Sequence, residues 1–187
     1  MEEWKREKIS KLLSYVLRHN PKSIDLELDI VGWVSIDELI KKSQHKIKFS
    51  REELIDVVEK CDSQRFTISR DGKKIRAAQG HSIDVDLDLK SVVPPNKLYH
   101  GTAWKFVESI MKEGLKKMKR KHVHMYSEER LEKAKNTGAR HEKGGKDAVV
   151  LEIDAERFWN HGFIIYLSDN NVYLADHVPA KYITIKK

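Results

Sequence analysis

The sequence has 187 residues, a formal net charge of +7 and 40% hydrophobic residues, which suits a folded protein of one large or two small domains. No apolar run approaches the roughly 20 residues of a membrane-spanning helix, and the charged start of the chain is unlike a secretory signal. The single cysteine, Cys61, excludes an internal disulfide and favours a reducing compartment such as the cytoplasm. Residues 94–187 hold 18 Lys and Arg against 12 Asp and Glu, so an anionic partner is expected.

The first sixty residues predict three helices. Residues 4–19 place apolar side chains on one face at helical spacing. This helix ends before Pro21, because the residue preceding a proline is pushed out of helical geometry. The next two helices begin at Ser35 and Ser50, each followed three residues later by glutamate in the pattern of a capping box.

A hairpin and a change of composition follow. Residues 65–69 and 74–77 have the pattern of two strands joined by an Asp-Gly turn. Three helices followed by such a hairpin predict a winged-helix lobe. Aspartates then alternate with apolar residues over 84–89 before Pro94-Pro95, which predicts a short strand that runs into a stiff linker. We place the domain boundary here, after residue 90.

The second predicted domain, residues 91–187, alternates short strands with short helices. Strands are predicted near 98–100, 123–125, 148–153, 163–167, 172–174 and 182–185, and helices near 103–113 and 127–135. Few helices lie between so many short strands, so we expect an α+β fold with a mainly antiparallel sheet.

The stretch from Lys119 to Met125 combines three cations with two histidines. Its alternation is typical of a strand, on which Arg120, His122 and His124 would share one face. Such a face suits a bound polyanion, and a basic edge strand facing water is the alternative. A histidine pair also occurs in metal sites, but the sequence places no acidic or thiolate partner beside it. No metal site is therefore predicted.

Several other places have the chemistry of phosphate binding. Arg18 and His19 end the first predicted helix, where cations are favourable against the helix dipole and an arginine can also grip a phosphate. Arg65 opens the hairpin. The tripeptide His100-Gly101-Thr102 is expected where a strand turns into a helix, and glycine there lets a phosphate approach the helix N-terminus. Residues 138–141 are expected to form a similar loop with glycine and arginine.

Common nucleotide-binding and hydrolase motifs are absent. The sequence has neither a Walker loop nor a GxGxxG pattern, and it has no serine-nucleophile elbow. Nor does it have the late Glu-X-Glu with which a protein ADP-ribosyltransferase activates its acceptor.

An ordered set of short motifs runs along the chain. They are Leu17-Arg18-His19-Asn20-Pro21, Gly32-Trp33-Val34, Arg65-Phe66, Gln79-Gly80-His81-Ser82, Leu98-Tyr99-His100-Gly101-Thr102, Arg120-Lys121-His122-Val123-His124-Met125, Gly138-Ala139-Arg140-His141 and Val172-Tyr173-Leu174. In this order they resemble the RNA (tRNA) 2′-phosphotransferases over essentially the whole chain. The resemblance implies a winged-helix RNA-binding lobe joined to an ADP-ribosyltransferase-like lobe that binds NAD.

The resemblance also implies a reaction in two steps. The 2′-phosphate at an RNA splice junction attacks the nicotinamide riboside carbon of NAD and expels nicotinamide. The ribose 2″-hydroxyl then attacks the phosphorus, which frees the RNA and leaves ADP-ribose 1″,2″-cyclic phosphate. A phosphate nucleophile is already anionic at neutral pH, so the missing Glu-X-Glu is not needed in the first step.

Site residues carry over from the same resemblance. The catalytic residues are then Arg18, His19, Arg65 and Arg120. His19 would handle the proton in the second step, because histidine is the side chain that titrates near neutral pH. The residues that contact NAD, which acts as a co-substrate, are then His100, Gly101, Thr102, Ser127, Gly138 and Arg140. No feature of the sequence points to an obligate protein partner.

Two other functions remain open at this point. The same site would suit an ADP-ribosyltransferase that modifies a terminal phosphate of a nucleic acid. A winged-helix lobe would also suit a non-catalytic protein that binds RNA or DNA. Incubation with NAD and a 2′-phosphorylated RNA distinguishes these alternatives: a cyclic phosphate product indicates the phosphotransferase, ADP-ribose left on the phosphate indicates the ADP-ribosyltransferase, and no consumption of NAD indicates a binding protein.

Overall fold

A computed structural model describes residues 1–61, 63–140 and 148–186. The chain divides into two units, Met1–Asp88 (the first unit) and Leu89–Lys187 (the second unit), and each has its own hydrophobic core. Within the described ranges, no helix combines the length and the apolar character needed to cross a membrane.

The first unit begins with helix α1, Glu3–Arg18, which buries one apolar face of Ile9, Leu13, Val16 and Leu17. His19 follows it and donates its backbone N–H to the Tyr15 carbonyl. The Asn20 side chain then accepts a hydrogen bond from the backbone of Ser23 at 3.1 Å and begins a short 3₁₀ helix, Pro21–Ile24. The predicted end of the first helix before the proline is therefore confirmed.

Serine side chains cap the next two helices, α2 (Ile36–Ser43) and α3 (Arg51–Glu59). At α3 the predicted capping box is complete, because the Ser50 hydroxyl accepts from the Glu53 N–H at 3.2 Å and the Glu53 carboxylate accepts from the Ser50 N–H at 3.0 Å. At α2 the Ser35 hydroxyl accepts from the Glu38 N–H at 3.4 Å, which is one half of the predicted box. Such a cap typically stabilises a helix by about 1 kcal/mol.

Three antiparallel strands complete the first unit: β1 (Val34–Ser35), β2 (Phe66–Ile68) and β3 (Lys74–Ala77), in the order β1-β3-β2. The last two form the predicted hairpin, which turns at Asp71-Gly72 with glycine at a φ of 70°. The core lies between the sheet and the helices, where Leu13, Leu17, Leu39, Leu54 and Ile75 are fully buried.

The segment that follows the hairpin differs from its prediction. Residues 84–89 form no strand, although apolar and acidic side chains alternate there and bury Val85 and Leu87. The strand in this region is β4, Lys90–Ser91, which belongs to the second unit and pairs with a later strand. Alternating burial therefore does not require strand pairing here.

The second unit contains eight further strands and three α-helices among its described residues. The strands are β5 (Lys97–Ala103), β6 (Leu115–Lys116), β7 (Val123–Met125), β8 (Ala148–Asp154), β9 (Tyr166–Leu167), β10 (Tyr173–Ala175), β11 (His177–Val178) and β12 (Ile183–Ile185). The helices are α4 (Val107–Glu113), α5 (Leu131–Ala139) and α6 (Ala155–Asn160), with 3₁₀ turns at Trp104–Phe106, Glu128–Arg130 and Ala180–Tyr182.

These strands form three antiparallel sheets, ordered β4-β9-β10-β7, β11-β6 and β12-β8-β5. The expected α+β fold with antiparallel pairing is confirmed. The longest pairing joins β5 to β8 along seven residues, from Lys97 opposite Asp154 to Ala103 opposite Ala148. The core of this unit lies against this pairing, where Leu98, Leu151 and Ile153 are fully buried.

The basic stretch at 119–125 is only partly a strand. Residues 123–125 form β7, whereas 119–122 lie in a turn and bend where the Arg120 N–H donates to the Lys117 carbonyl at 2.9 Å. The prediction that Arg120, His122 and His124 share one strand face is therefore wrong, since only His124 lies in the strand. Among the described residues, β7 pairs with β10 only from Val123 onwards.

Two glycines allow helix α5 to lie directly on strand β5. A Cβ atom added to Gly101 would lie 1.6 Å from the Ala134 carbonyl oxygen, and one added to Gly138 would lie 2.6 Å from the Thr102 carbonyl oxygen. Both obstacles are backbone atoms, which cannot rotate away. The helix and the strand therefore approach each other at a distance that only glycine permits.

We expect Gly138→Ala to destabilise the second unit by about 1–3 kcal/mol, as for an overpacked core. A loss of stability would be informative, because alanine in a helix interior is otherwise more favourable than glycine by about 1 kcal/mol. Urea or thermal unfolding measures the change, with Asn136→Ala at an exposed position of the same helix as the control. A Gly138→Ala protein as stable as its parent would show that the contact relaxes at no cost.

Candidate active site

The C-terminal end of α1 carries the first candidate residues. Arg18 is the last residue of the helix and is half-buried. Its guanidinium donates to the Arg65 carbonyl oxygen at 3.3 Å, and the same oxygen accepts from the Ala78 N–H at 2.9 Å. Arg18 is thereby held against the open end of the β2-β3 hairpin.

The Arg65 side chain turns back to the same helix. Its guanidinium donates to the Ser10 hydroxyl at 3.1 Å, two turns before Arg18. Arg65 is also half-buried. Two arginines of the first unit therefore lie beside α1, one anchored by a backbone carbonyl and the other by a serine.

The imidazole of His19 is oriented by Ser82, a residue that the sequence placed in one of the ordered motifs without giving it a role. Its Nδ1 lies 2.9 Å from the Ser82 hydroxyl, and the Ser82 backbone N–H donates to the Arg18 carbonyl at 2.9 Å. A ring held at Nδ1 can exchange its proton through Nε2. The chain between β3 and Ser82 thus returns to the helix end and fixes both Arg18 and His19.

Of the predicted catalytic residues, the structure places Arg18 and His19 together at the end of α1, with the Arg65 backbone beside them and the Arg65 side chain two turns back at Ser10. The contact that sequence reasoning missed is Ser82, which ends the polar segment Gln79-Gly80-His81-Ser82. The signal available for it was its place in this motif, one of the ordered set that carries the resemblance. His81 itself is 1% exposed, which is unusual for an ionisable side chain.

The tripeptide His100-Gly101-Thr102 does not lie at a junction of strand and helix. All three residues are inside β5 and pair with Leu151, Val150 and Val149 of β8. The 3₁₀ turn begins only at Trp104, after Ala103, so the tripeptide itself is not a helix N-terminus, and the predicted phosphate contact stays a prediction.

His100 is fixed within the sheet region by a hydrogen bond. Its Nδ1 lies 2.8 Å from the His124 carbonyl oxygen. Because a carbonyl can only accept, Nδ1 carries the hydrogen and Nε2 is the acceptor of the neutral ring. The backbones of Tyr99 and Tyr126 also exchange two hydrogen bonds of 2.8 Å, which hold this part of β5 beside β7.

Gly138 lies inside α5 rather than in the predicted loop, and Arg140 follows the helix end with an exposed side chain. Gly101 and Gly138 have the packing role described above. Their predicted contact with NAD, like that of Thr102 and Arg140, stays a prediction. His141, the last residue of that predicted motif, lies outside the described residues.

Ser127 lines a cleft of about 630 Å³ in the second unit. Its other lining residues are Pro95, Asn96, Lys97, Glu128, Glu129, Arg130, Leu167, Asn171 and Tyr173. The Arg130 guanidinium donates to the carbonyls of Asn170 and Asn171 at 2.5 and 3.3 Å, and Lys97 pairs with Glu152 at 2.7 Å. The cleft has the volume of a small-molecule site, and its lining combines the Tyr173 ring with amide, hydroxyl and charged groups of both signs.

Arg120 lies in the turn before β7 and is exposed. Neighbouring atoms remove part of the hydration of its guanidinium and so lower its pKa, but an arginine remains a cation at any physiological pH. Its position in an exposed turn suits a contact with an anionic substrate. The sequence predicted a strand at Arg120, which is wrong, and the predicted catalytic role of this residue stays a prediction.

His122 is half-buried, and its ring meets the Tyr166 ring edge-on at a centroid distance of 6.0 Å. Burial lowers the pKa of His122, because the charged imidazolium loses hydration. Asp176 opposes this shift, while Lys117 and Lys121 add to it. The neutral imidazole is therefore the form that the folded protein favours.

Across the ranges that the structure describes, no three histidine, cysteine or carboxylate side chains come together in a way that could hold a metal ion.

Comparison with known proteins gives one consistent family. The model of the RNA 2′-phosphotransferase, Tpt1/KptA family matches residues 4–177. A probable RNA 2′-phosphotransferase of Fusobacterium nucleatum is 48% identical over 179 residues, which cover 94% of this chain and 96% of that protein. Proteins of the same description from Acaryochloris marina and Flavobacterium johnsoniae are 48% and 49% identical, with 93% and 95% of each chain covered.

A pH dependence of stability follows from the burial of His122. An unfolded histidine takes up its proton near pH 6.5, whereas the folded protein does so at lower pH because its pKa is lowered. The stability that the buried, neutral His122 contributes is therefore fully present above about pH 6.5 and is lost as the pH falls through the folded pKa. Unfolding midpoints at pH 8 and pH 5 should differ less for His122→Gln than for the parent protein. His45→Gln, at an exposed position, is the control. If the midpoints at pH 8 and pH 5 differ equally in all three proteins, His122 is not a source of the pH dependence of stability.

Proposed function

The chain belongs to the RNA 2′-phosphotransferase, Tpt1/KptA family, and on that premise we propose that it removes an internal 2′-phosphate from RNA with NAD as co-substrate. The observation that carries the proposal is the pair Arg18 and His19 at the end of α1, which the Arg65 carbonyl oxygen and the Ser82 hydroxyl hold in place. A guanidinium and an imidazole on neighbouring residues provide donors that a phosphate requires, and Arg65, whose side chain bonds to Ser10 two turns earlier on α1, is the third proposed contact. The single cysteine suits a reducing compartment, and we place the reaction in the cytoplasm.

The proposed reaction has two displacements. In the first, an oxygen of the RNA 2′-phosphate bonds to the nicotinamide ribose carbon, and the carbon–nitrogen bond breaks as nicotinamide leaves with its electron pair. In the second, the adjacent ribose hydroxyl attacks the phosphorus, and the bond to the RNA 2′-oxygen breaks. That oxygen takes up the proton that the attacking hydroxyl releases. The products are RNA with a 2′-hydroxyl, nicotinamide and ADP-ribose 1″,2″-cyclic phosphate.

The residues of the first unit act on the phosphate. Arg18 is held by a carbonyl and Arg65 by a serine, so both guanidinium groups are fixed before the substrate binds. Groups oriented in advance stabilise charge in a transition state without a cost of reorganisation. His19, fixed at Nδ1 by Ser82, moves the proton between the two hydroxyl oxygens of the second step. Arg120 stabilises the charge that develops at the phosphorus in that step.

We assign the two units different parts in this reaction. The first unit has three helices and an antiparallel hairpin sheet, which supports a winged-helix lobe that binds RNA. The second has antiparallel sheets and the cleft beside Ser127, which supports an ADP-ribosyltransferase-like lobe that binds NAD. His100, Gly101, Thr102, Gly138 and Arg140 remain the further proposed contacts of NAD.

The first test is to incubate the protein with NAD and an RNA that bears one internal 2′-phosphate. We expect release of nicotinamide together with the cyclic phosphate, both measured by chromatography. ADP-ribose left stably on the phosphate would instead identify a nucleic-acid ADP-ribosyltransferase. An RNA that binds without any consumption of NAD would identify a non-catalytic binding protein, and the same RNA without its 2′-phosphate is the control.

The second test is Arg120→Ala. We expect the rate of the second step to fall by about 10²–10³, the usual effect of removing one group that stabilises a developing charge. RNA that carries ADP-ribose on its 2′-phosphate should then accumulate and be visible as a slower band on a denaturing gel. Lys119→Ala in the same exposed turn is the matched control. An Arg120→Ala enzyme that behaves like Lys119→Ala would remove Arg120 from the mechanism.

A further inference from the structure

Tyr15 is an exposed aromatic residue beside the candidate phosphate site. It lies on α1, three residues before Arg18 and four before His19, and is 47% exposed. Residues with these spacings are neighbours on one side of a helix, with about 5–6 Å between their Cβ atoms. The ring therefore lies one helical turn from the residues that are proposed to hold the phosphate.

A hydrogen bond fixes the direction in which the ring points. The Tyr15 hydroxyl accepts from the side-chain amide of Asn20 at 3.0 Å. Asn20 is itself held, because its side-chain oxygen accepts from the Ser23 N–H at 3.1 Å. The ring thus extends along the last turn of α1 towards residues 18–20, with nearly half of its surface in solvent.

Resting on the proposed function, we propose that the face of the Tyr15 ring stacks on a nucleobase of the RNA next to the 2′-phosphate. A nucleotide carries its base and its 2′-phosphate on one ribose, so a phosphate held by Arg18 and His19 brings a base close to a ring one turn away. Stacking on an aromatic ring accepts any base, because every base has a π-face. The residue would position the substrate and would not select its sequence.

A ring that is already held loses little conformational freedom when a base binds. Single exposed aromatic residues are common on protein surfaces and need no explanation by themselves. Tyr15 differs from them in its position and in its fixed direction. Trp4 on the same helix is 59% exposed, but it lies eleven residues earlier, about 16 Å along the axis from Tyr15. It provides a matched control.

The test measures binding without turnover. A short RNA carries 2-aminopurine next to a single 2′-phosphate, and its fluorescence is titrated with Tyr15→Ala, Tyr15→Phe, Trp4→Ala and the parent protein in the absence of NAD. We expect quenching by the parent protein, by Tyr15→Phe and by Trp4→Ala. Tyr15→Ala should bind about 5–150-fold more weakly and lose the quenching, the effect expected for one base stacked on an aromatic ring.

Tyr15→Phe separates stacking from a structural role. It keeps the ring and removes the hydroxyl that binds Asn20. If Tyr15→Phe binds as poorly as Tyr15→Ala, the residue acts through the end of α1 and the stacking proposal is overturned. Equal affinity of Tyr15→Ala and the parent protein overturns it as well, as does a parent protein that does not bind this RNA.

The adenine of NAD is the other nucleobase that the ring could meet, and steady-state kinetics distinguish the two. Stacking on RNA predicts that Tyr15→Ala raises the KM for RNA and leaves the KM for NAD unchanged. The opposite pattern would move the contact to the cofactor and overturn the proposal. The proposed function can fail independently, because a protein that binds and quenches the RNA but never releases nicotinamide would retain the stacking contact without the reaction.

Discussion

One backbone hydrogen bond joins the end of α1 to the chain that follows the β2-β3 hairpin, and the arrangement of the candidate site depends on it. The last turn of any α-helix leaves carbonyl groups without partners inside the helix. At α1 the Arg18 carbonyl finds its donor in the Ser82 N–H at 2.9 Å, so the chain that leaves β3 has to return to the helix end. The same return places the Ser82 hydroxyl at His19. Because the Ala78 N–H also bonds to the Arg65 carbonyl, three stretches of chain meet at a single point.

Local signals in the sequence predicted those elements whose limits are set by local chemistry. Pro21 ended α1, and Ser50 with Glu53 began α3. Prediction failed where a distant partner decides the outcome. Strand β5 continues to Ala103 because seven of its residues pair with β8, whereas 119–122 pair with no strand in the described part of the chain and form a turn and bend. No window of the sequence contains both members of either pairing, so neither limit was predictable.

The candidate site was predictable to a similar degree. Arg18, His19 and Arg65 were assigned from the resemblance, and their local setting, a helix end before a proline and the start of a hairpin, was predicted from local patterns. Ser82 was not assigned a role, since its contact depends on the path of the chain after β3. Gly101 and Gly138 were singled out by the sequence, but the sequence does not show why glycine is needed at either position. A glycine that admits a ligand and a glycine that admits another backbone look the same in a sequence, and the distance to the Ala134 carbonyl reveals the second use.

The way Arg18 is anchored makes the two arginines separable by mutagenesis. The acceptor for the Arg18 guanidinium is the carbonyl oxygen of residue 65, which every amino acid possesses. Replacing the Arg65 side chain therefore removes one cation and its bond to Ser10 while the anchor of the other cation remains in place. The anchor of His19 is different in kind, because it is the hydroxyl of a particular side chain. The anchor of Arg18 therefore depends on the path of the backbone at residue 65, whereas the anchor of His19 depends on the identity of the side chain at residue 82.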